Sequence, residues 1–209
     1  MAEKGAPGLS LREVAREMNV VSSALYRYFA TRDDLLTALI VDAYNDLGAS
    51  AERAAQRISF NDPRRQLHAA ASAIRKWAKS NPNEYALLYG SPVPGYEAPQ
   101  FTVEPAARVA LVLGNVVAEA WRRNASEFTG NAALGSDESM KGLLETRSLD
   151  VAMPGVPERV RALSLMVWSQ IFGCISFELF GHYKGTVRNA RRFFNIVVDE
   201  VANLVLPPN

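Results

Sequence analysis

The sequence predicts an all-α protein in two parts, a small N-terminal helix-turn-helix unit (residues 1–57) and a larger C-terminal helical unit (58–209). Three observations carry that expectation. Apolar residues recur at three- and four-residue spacing from end to end. No segment alternates apolar and polar residues between turn signals, as a half-buried strand would. Helix start and stop residues punctuate the apolar stripes throughout.

The first helix is expected over 10–18, with Leu11, Val14, Ala15 and Met18 on one face and Arg12, Glu13, Arg16 and Glu17 elsewhere. Ser10 followed by Glu13 fits a capping box. Asn19 suits the left-handed residue that would end this helix. Ser22 is expected to cap a second short helix carrying Leu25, Tyr26 and Phe29. A long helix begins near Arg32, where Asp33 and Asp34 match the positive end of its dipole, and runs to about Arg57. The 60–63 region is the expected boundary between the two units. Asp62 as N-cap with Pro63 at the first helical position opens the next helix. Asn81-Pro82 ends it and starts a short one through Tyr89. Residues 90–99, with three prolines and two glycines, read as a loop. A helix over 103–128, a weakly patterned stretch over 129–157, and two strongly apolar helices over 158–181 and 187–206 complete an expected eight or nine helices.

Composition bounds the function. The chain has 209 residues, of which 48% are hydrophobic, enough for a substantial core without disulfides or metal staples. Its single cysteine, Cys174, excludes an internal disulfide framework and any multi-cysteine metal site, and reads as an inert buried thiol. A net charge of +1 excludes coating of nucleic acid by charge alone, but leaves room for a local basic face. No apolar run reaches the ~20 residues that span a bilayer. Met1–Gly8 contains no apolar signal region. A soluble, cytoplasmic, membrane-free protein is expected.

The informative segment is 10–32, SLREVAREMNVVSSALYRYFATR. Two short helices joined by a tight turn read as a helix-turn-helix. Ala15 is small where the helices cross, and Val20 and Leu25 are expected to fill the space between them. From Lys4 to Arg32 there are five basic residues and two acidic ones, a modestly basic patch on a nearly neutral chain. Such a patch fits a protein that docks one small face on DNA.

These residues resemble the helix-turn-helix of the tetracycline-repressor (TetR) family. The Leu-Tyr-Arg-Tyr-Phe run at 25–29 and the basic residue, acidic pair and Leu-Leu at 32–36 carry the resemblance. It covers about 35 residues in detail, and the rest in layout. It implies a small DNA-binding domain, a larger domain that binds an inducer and dimerises, and no cofactor. Carried over by position, Ser10 and Arg12 would touch phosphates and Ser22 and Ser23 would front the recognition helix. Tyr26 and Tyr28 would meet backbone or base edges, Arg32 would bind phosphate, and Arg27 would lie along the flank. Asn19 stands where the family usually has Gly, and Tyr28 where it often has His. The family also has a helix before the motif; here Met1–Gly5 resembles only its end, so the expectation is a start downstream of that helix.

Trp77, Tyr85, Tyr89, Phe101, Trp121, Trp168 and Phe172 are candidates for the inducer cavity, against the default of ordinary core packing. The two last helices are apolar nearly all round and must bury two faces. Leu163, Val167, Ile171, Phe194, Val198 and Val201 are the expected contacts of a homodimer built as an intermolecular four-helix bundle. Glu178 and His182, with His68, resemble a metal or acid–base constellation only weakly, and a polar role at an interface is the stronger reading. No nucleotide loop, nucleophile elbow or metal motif points to an enzyme. The sequence thus predicts a repressor whose partners are double-stranded operator DNA, a small-molecule effector and a second copy of itself. The alternative is a small-molecule-binding or scaffolding helical dimer that has lost operator binding with its first helix.

Overall fold

The computed structural model describes residues 10–123, 142–144 and 152–206. The described residues form eight α-helices and one 3-10 turn, with no strand among them. In chain order these are α1 (Leu11–Glu17), α2 (Ser22–Tyr26), α3 (Arg32–Gln56), α4 (Pro63–Ser80), α5 (Pro82–Tyr89), α6 (Val103–Arg123), α7 (Glu158–Leu179) and α8 (Ala190–Val205). The 3-10 turn, Gln100–Thr102, leads into α6. Residues 124–128 of the expected sixth helix, most of 129–157, and Lys4 lie outside the described residues.

Local chemistry explains most boundaries. Thr31 opens α3 with a capping box: its hydroxyl accepts from Asp34 N at 3.1 Å and Asp34 Oδ2 accepts from Thr31 N at 2.8 Å. Asp62 caps α4 by accepting from Arg65 N at 2.9 Å, with Pro63 at the first position. Two expected caps differ. Ser10 is the N-cap residue of α1, but its side chain makes no capping bond. Ser22 is already helical, because Val21 occupies the N-cap of α2. The second helix also ends at Tyr26, leaving Phe29 beyond it in a turn closed by Phe29 N to Leu25 O.

Two hydrophobic clusters organise the packing. In the smaller, Leu11, Leu35, Leu36 and Ile40 are buried, and Val14, Leu25, Phe29 and Tyr44 pack against them. The larger is built on α3, α4, α6, α7 and α8 around Leu47, Leu67, Ile74, Val109, Leu113 and Ile171. α3 packs on α4 and α6, α6 on α7, and α7 on α8, which returns to α4. The clusters are not separate. Leu87 and Leu88 of α5, and Val93 and Tyr96 of the following loop, pack on the smaller one, and Leu88 packs on both. Tyr96 Oη lies 2.9 Å from Thr37 Oγ1, tying the 90–99 loop to the start of α3. Gln100–Arg123 and α7 do reach bilayer-spanning length, each with mean hydropathy 1.4, contrary to the sequence expectation. Both contribute buried residues to the large core and pack against each other.

Polar ties set the relative positions of the helices. Arg108 on α6 forks onto Glu52 of α3 with two bonds of 2.6 Å. It crosses α3 at Gly48, where a Cβ would lie 2.7 Å from Arg108 Cδ, so only glycine leaves room for the approach. Trp77 Nε1 donates to Asp46 Oδ2 at 2.7 Å, fastening α4 to α3. At the other end of α4, Arg64 donates to Asn203 Oδ1 at 2.8 Å and His68 Nε2 lies 2.7 Å from Asp199 Oδ1. Arg75 forks onto Glu178 at 2.6 and 2.7 Å, Lys79 adds a third bond at 3.1 Å, and the Arg75 guanidinium covers the Phe194 ring at 5.5 Å.

These ties occupy two residues of the weak metal reading. Glu178 and His68 are engaged separately, His182 faces the Phe177 ring, and no group of three metal-binding side chains occurs among the described residues. Cys174 is buried, and burial pushes its thiol pKa up, as an inert thiol requires.

Burial pushes the Glu178 carboxyl up, but its bonds to Arg75 and Lys79 outweigh that and leave its pKa below the ordinary 4.5. Stabilisation from a depressed carboxylate is present above the unfolded pKa and lost as pH falls through the folded one. Glu178→Gln is therefore expected to be less stable than wild type at pH 7, with a flatter decline below pH 4.5. Urea denaturation across that range measures both.

Candidate DNA-binding and effector sites

The end of α1 explains how the first two helices are set at an angle. Asn19 takes the left-handed conformation at φ 54° and is the one described non-glycine residue with positive φ. Asn19 N donates to Arg16 O at 3.1 Å and Val20 N to Ala15 O at 2.9 Å, the bond pattern of a Schellman turn. Ala15 is buried at the crossing, as expected. Met18 and Val20, expected inside, are 60% and 40% exposed, because the turn carries them past the rim of the small core. Leu25 and Phe29 do pack against it.

Most of the predicted DNA-contact residues reach the surface of this unit. Arg12, Ser23, Tyr26, Arg27 and Tyr28 are exposed, and Ser10 and Ser22 are half-buried. Arg32, half-buried at the first position of α3, lies 3.7 Å from Asp33. Arg12 and Arg16 project from α1, and Tyr26 projects from α2. A short helix fronted by small hydroxyls and flanked by cations matches what major-groove docking requires. Sequence reasoning overlooked Val21, which is 71% exposed at the leading end of α2. Its position between Val20 and Ser22 was the available signal.

Four of the seven aromatic candidates come together. Phe172 stacks on Tyr85 and meets Tyr89 and Trp168 at a tilt, with ring centroids 6.3, 4.6 and 5.8 Å away. Tyr89 also meets Tyr44 of α3 edge-on at 6.1 Å. Trp77, Phe101 and Trp121 lie elsewhere: Trp77 is held by Asp46, Phe101 is exposed, and Trp121 packs on the far part of the large core. Burial raises the hydroxyl pKa values of Tyr85, to about 12, and of Tyr89. The Tyr85 hydroxyl is satisfied by Ser176 Oγ at 2.8 Å. By contrast, Tyr89 Oη and Trp168 Nε1 are buried without a hydrogen-bond partner. Such groups are rare and call for an explanation.

The α7 and α8 residues expected at a dimer contact are instead core of the single chain. Leu163, Val167, Ile171, Phe194, Val198 and Val201 are all buried within it. Their stripe faces inward because α7 and α8 close the large cluster against α4 and α6. The outer face of the same two helices holds an open groove of about 300 Å³, lined by Met166, Gln170, Ile196, Val197, Glu200 and Leu204, with Val167 and Val201 of the expected dimer contact at its floor. Ile196 is 48% exposed there. At Gly173 a Cβ would meet nothing within 4 Å. A second open cleft, of about 560 Å³, lies between the end of α3, the start of α4 and α6, lined in part by Phe60, Gln66, Val116 and Arg123. None of the seven aromatic candidates lines it.

Known proteins share this arrangement. Residues 1–39 match the family described as bacterial regulatory proteins, tetR family, and residues 67–201 match the tetracyclin repressor-like C-terminal domain. The HTH-type transcriptional regulator Rv1816 of Mycobacterium tuberculosis H37Rv is 40% identical over 187 residues, covering 88% of this chain and 77% of that protein. The regulator Mb1846 of Mycobacterium bovis matches to the same extent, 40% over 187 residues. The crystal structure of SCO4313 superposes with a TM-score of 0.72 at 30% identity, over 97% of this chain and 89% of that one. PfmR, a TetR-family regulator from Thermus thermophilus, shares the fold with a TM-score of 0.56 at 17% identity, over 95% of this chain and 92% of that one.

The unpartnered Tyr89 hydroxyl yields a stability prediction. Deleting a satisfied buried hydroxyl costs about 1 kcal/mol, whereas deleting an orphaned one removes a desolvation penalty of ~1–3 kcal/mol. Without added ligand, Tyr89→Phe is expected to be at least as stable as wild type, and Tyr85→Phe less stable. Chemical denaturation of the three proteins side by side checks the contrast.

Proposed function

This chain belongs to the TetR family of bacterial transcriptional regulators, which bind DNA through an N-terminal helix-turn-helix, and from that premise we propose that it is a dimeric repressor released from a palindromic operator by a small-molecule inducer. The observation that carries the DNA-binding part is the Asn19 turn, which fixes α2 with Ser23, Tyr26 and Tyr28 outward beside Arg12 and Arg16. Two such units in a twofold dimer would enter successive major grooves ~34 Å apart. The operator lies in the cytoplasm, and the protein acts there.

Dimerisation through the outer face of α7 and α8 fits the open apolar groove along Met166, Ile196 and Leu204 and the space at Gly173. Pairing these two helices with their symmetry mates gives a four-helix bundle that buries the face a lone chain leaves in water. The proposed contact keeps Val167 and Val201 from the residues that the sequence suggested and replaces the other four with Met166, Ile196, Val197 and Leu204.

The effector is assigned to the Tyr85, Tyr89, Trp168 and Phe172 cluster. Packed aromatic rings with two unsatisfied donors, Tyr89 Oη and Trp168 Nε1, suit a largely apolar ligand bearing a hydrogen-bond acceptor. A change at Tyr89 reaches α3 through Tyr44, and α5 carries it to the small core through Leu87 and Leu88. Reciprocal linkage then lowers operator affinity to the extent that the effector prefers a different α5 position.

Two experiments test the reading. Gel-shift titration against intergenic DNA flanking the coding sequence is expected to show specific binding by wild type. Tyr26→Ala should weaken it about tenfold or more, and Arg12→Ala should weaken it across sequences with a shallower salt dependence. Both variants should keep the wild-type oligomeric state. In sedimentation, wild type should be a dimer at micromolar concentration, and Ile196→Asp, which places a charge in the proposed contact, should be a folded monomer. A dimeric Ile196→Asp protein would place the interface elsewhere.

A further inference from the structure

The face that α2 offers has an unusual composition. From Val20 to Tyr28 the exposed side chains are Val20, Val21, Ser23, Tyr26, Arg27 and Tyr28. Asparagine and glutamine, which pair bidentately with adenine, and aspartate and glutamate, which accept from cytosine, are missing from these nine residues. Arg27 is suited to guanine. Beside the hydroxyls of Ser23, Tyr26 and Tyr28 the surface carries an apolar group: Met18, Val20 and Val21 are 60%, 40% and 71% exposed.

These three are placed there by the backbone. The Schellman turn at Asn19 spends the Val20 N–H on Ala15 and turns the chain outward. Val21 then takes extended geometry, φ −69° and ψ 137°, as the residue immediately before α2. It therefore leads the helix into whatever the helix approaches, and the small side chains of Ser22 and Ser23 do not shield it. An isopropyl group cannot hydrogen-bond to a base edge. The apolar group that B-DNA presents in the major groove is the C5-methyl of thymine.

We propose that Val21, flanked by Met18 and Val20, reads thymine methyl groups, so that this regulator selects T at the base pair facing the front of α2. The inference rests on the DNA-binding reading above and deepens it: one specificity contact of the operator is van der Waals contact with a methyl group, not a hydrogen bond.

Deoxyuridine in place of thymidine deletes that methyl group and leaves base pairing intact. The preferred duplex is first selected from randomised DNA with the full chain, and each of its thymines is then replaced singly. At one position per half-site, wild type is expected to lose about fourfold in affinity, the worth of one buried methyl. Val21→Ala, a substitution at an exposed site, should bind the thymine and uracil duplexes equally at that position and keep the wild-type response at the others. If wild type binds every uracil duplex as tightly as its thymine parent, the inference is overturned while DNA binding stands. Retention of the full uracil penalty by Val21→Ala overturns the role of this residue. Failure of wild type to select any duplex overturns the DNA-binding reading, and this inference with it.

Discussion

Both hydrophobic clusters hang on α3, whose first turns give Leu35, Leu36 and Ile40 to the small one and whose later turns give Ala43, Leu47, Ala51 and Ala55 to the large one. A 25-residue helix is about 37 Å of stiff rod. It cannot bend to satisfy one cluster without displacing its contribution to the other. The surrounding polar contacts read as restraints on the direction of that rod. Thr37 is held by Tyr96, Asp46 by Trp77 and Glu52 by Arg108, at successive levels along it. The Arg108–Glu52 pair is about one-third exposed, so it adds little to stability. Its geometry fixes where α6 crosses.

Features written in neighbouring residues were legible in the sequence. Asn19 and Asp62-Pro63 each act over three or four positions, and the structure uses the first as a left-handed turn and the second as a cap. The Thr31 capping box is legible there only as an acidic first turn at Asp33 and Asp34. Ser10 shows the limit: its spacing to Glu13 is right for a capping box, yet the side chain does not cap. Orientation about a helix axis is legible only where one face is polar. On α4 the apolar stripe of Leu67, Ala70, Ala71, Ile74 and Trp77 stands out because charges occupy the rest. α7 is apolar on both sides, so periodicity cannot say which side meets its own core, and the inward stripe reads as readily as an outer one. The aromatic cluster depends on Tyr44, Tyr89, Trp168 and Phe172 meeting across three helices, which no local pattern encodes.

The two candidate sites differ in how they meet water. At the helix-turn-helix, exposed cations, hydroxyls and methyl groups stand on a short helix that its own core supports only from behind. Recognition there needs position more than enclosure. In the aromatic cluster the polar atoms are already dehydrated, and two of them are left unsatisfied. A ligand that satisfies them gains hydrogen bonds whose desolvation cost on the protein side has been met during folding.

Leu88 packs on both clusters at once. That shared position constrains how such a regulator diversifies. Wherever two cores use separate side chains, ligand preference and DNA geometry can drift independently under selection. Here a mutation that reshapes the aromatic end of α5 also reaches the support of the helix-turn-helix through the next residue along. With the effector at the proposed site, new ligand preferences are expected to arise together with compensating changes at positions such as Ile40, Val93 or Tyr96. A chimera that grafts the large unit onto a foreign DNA-binding unit has to carry those positions with it.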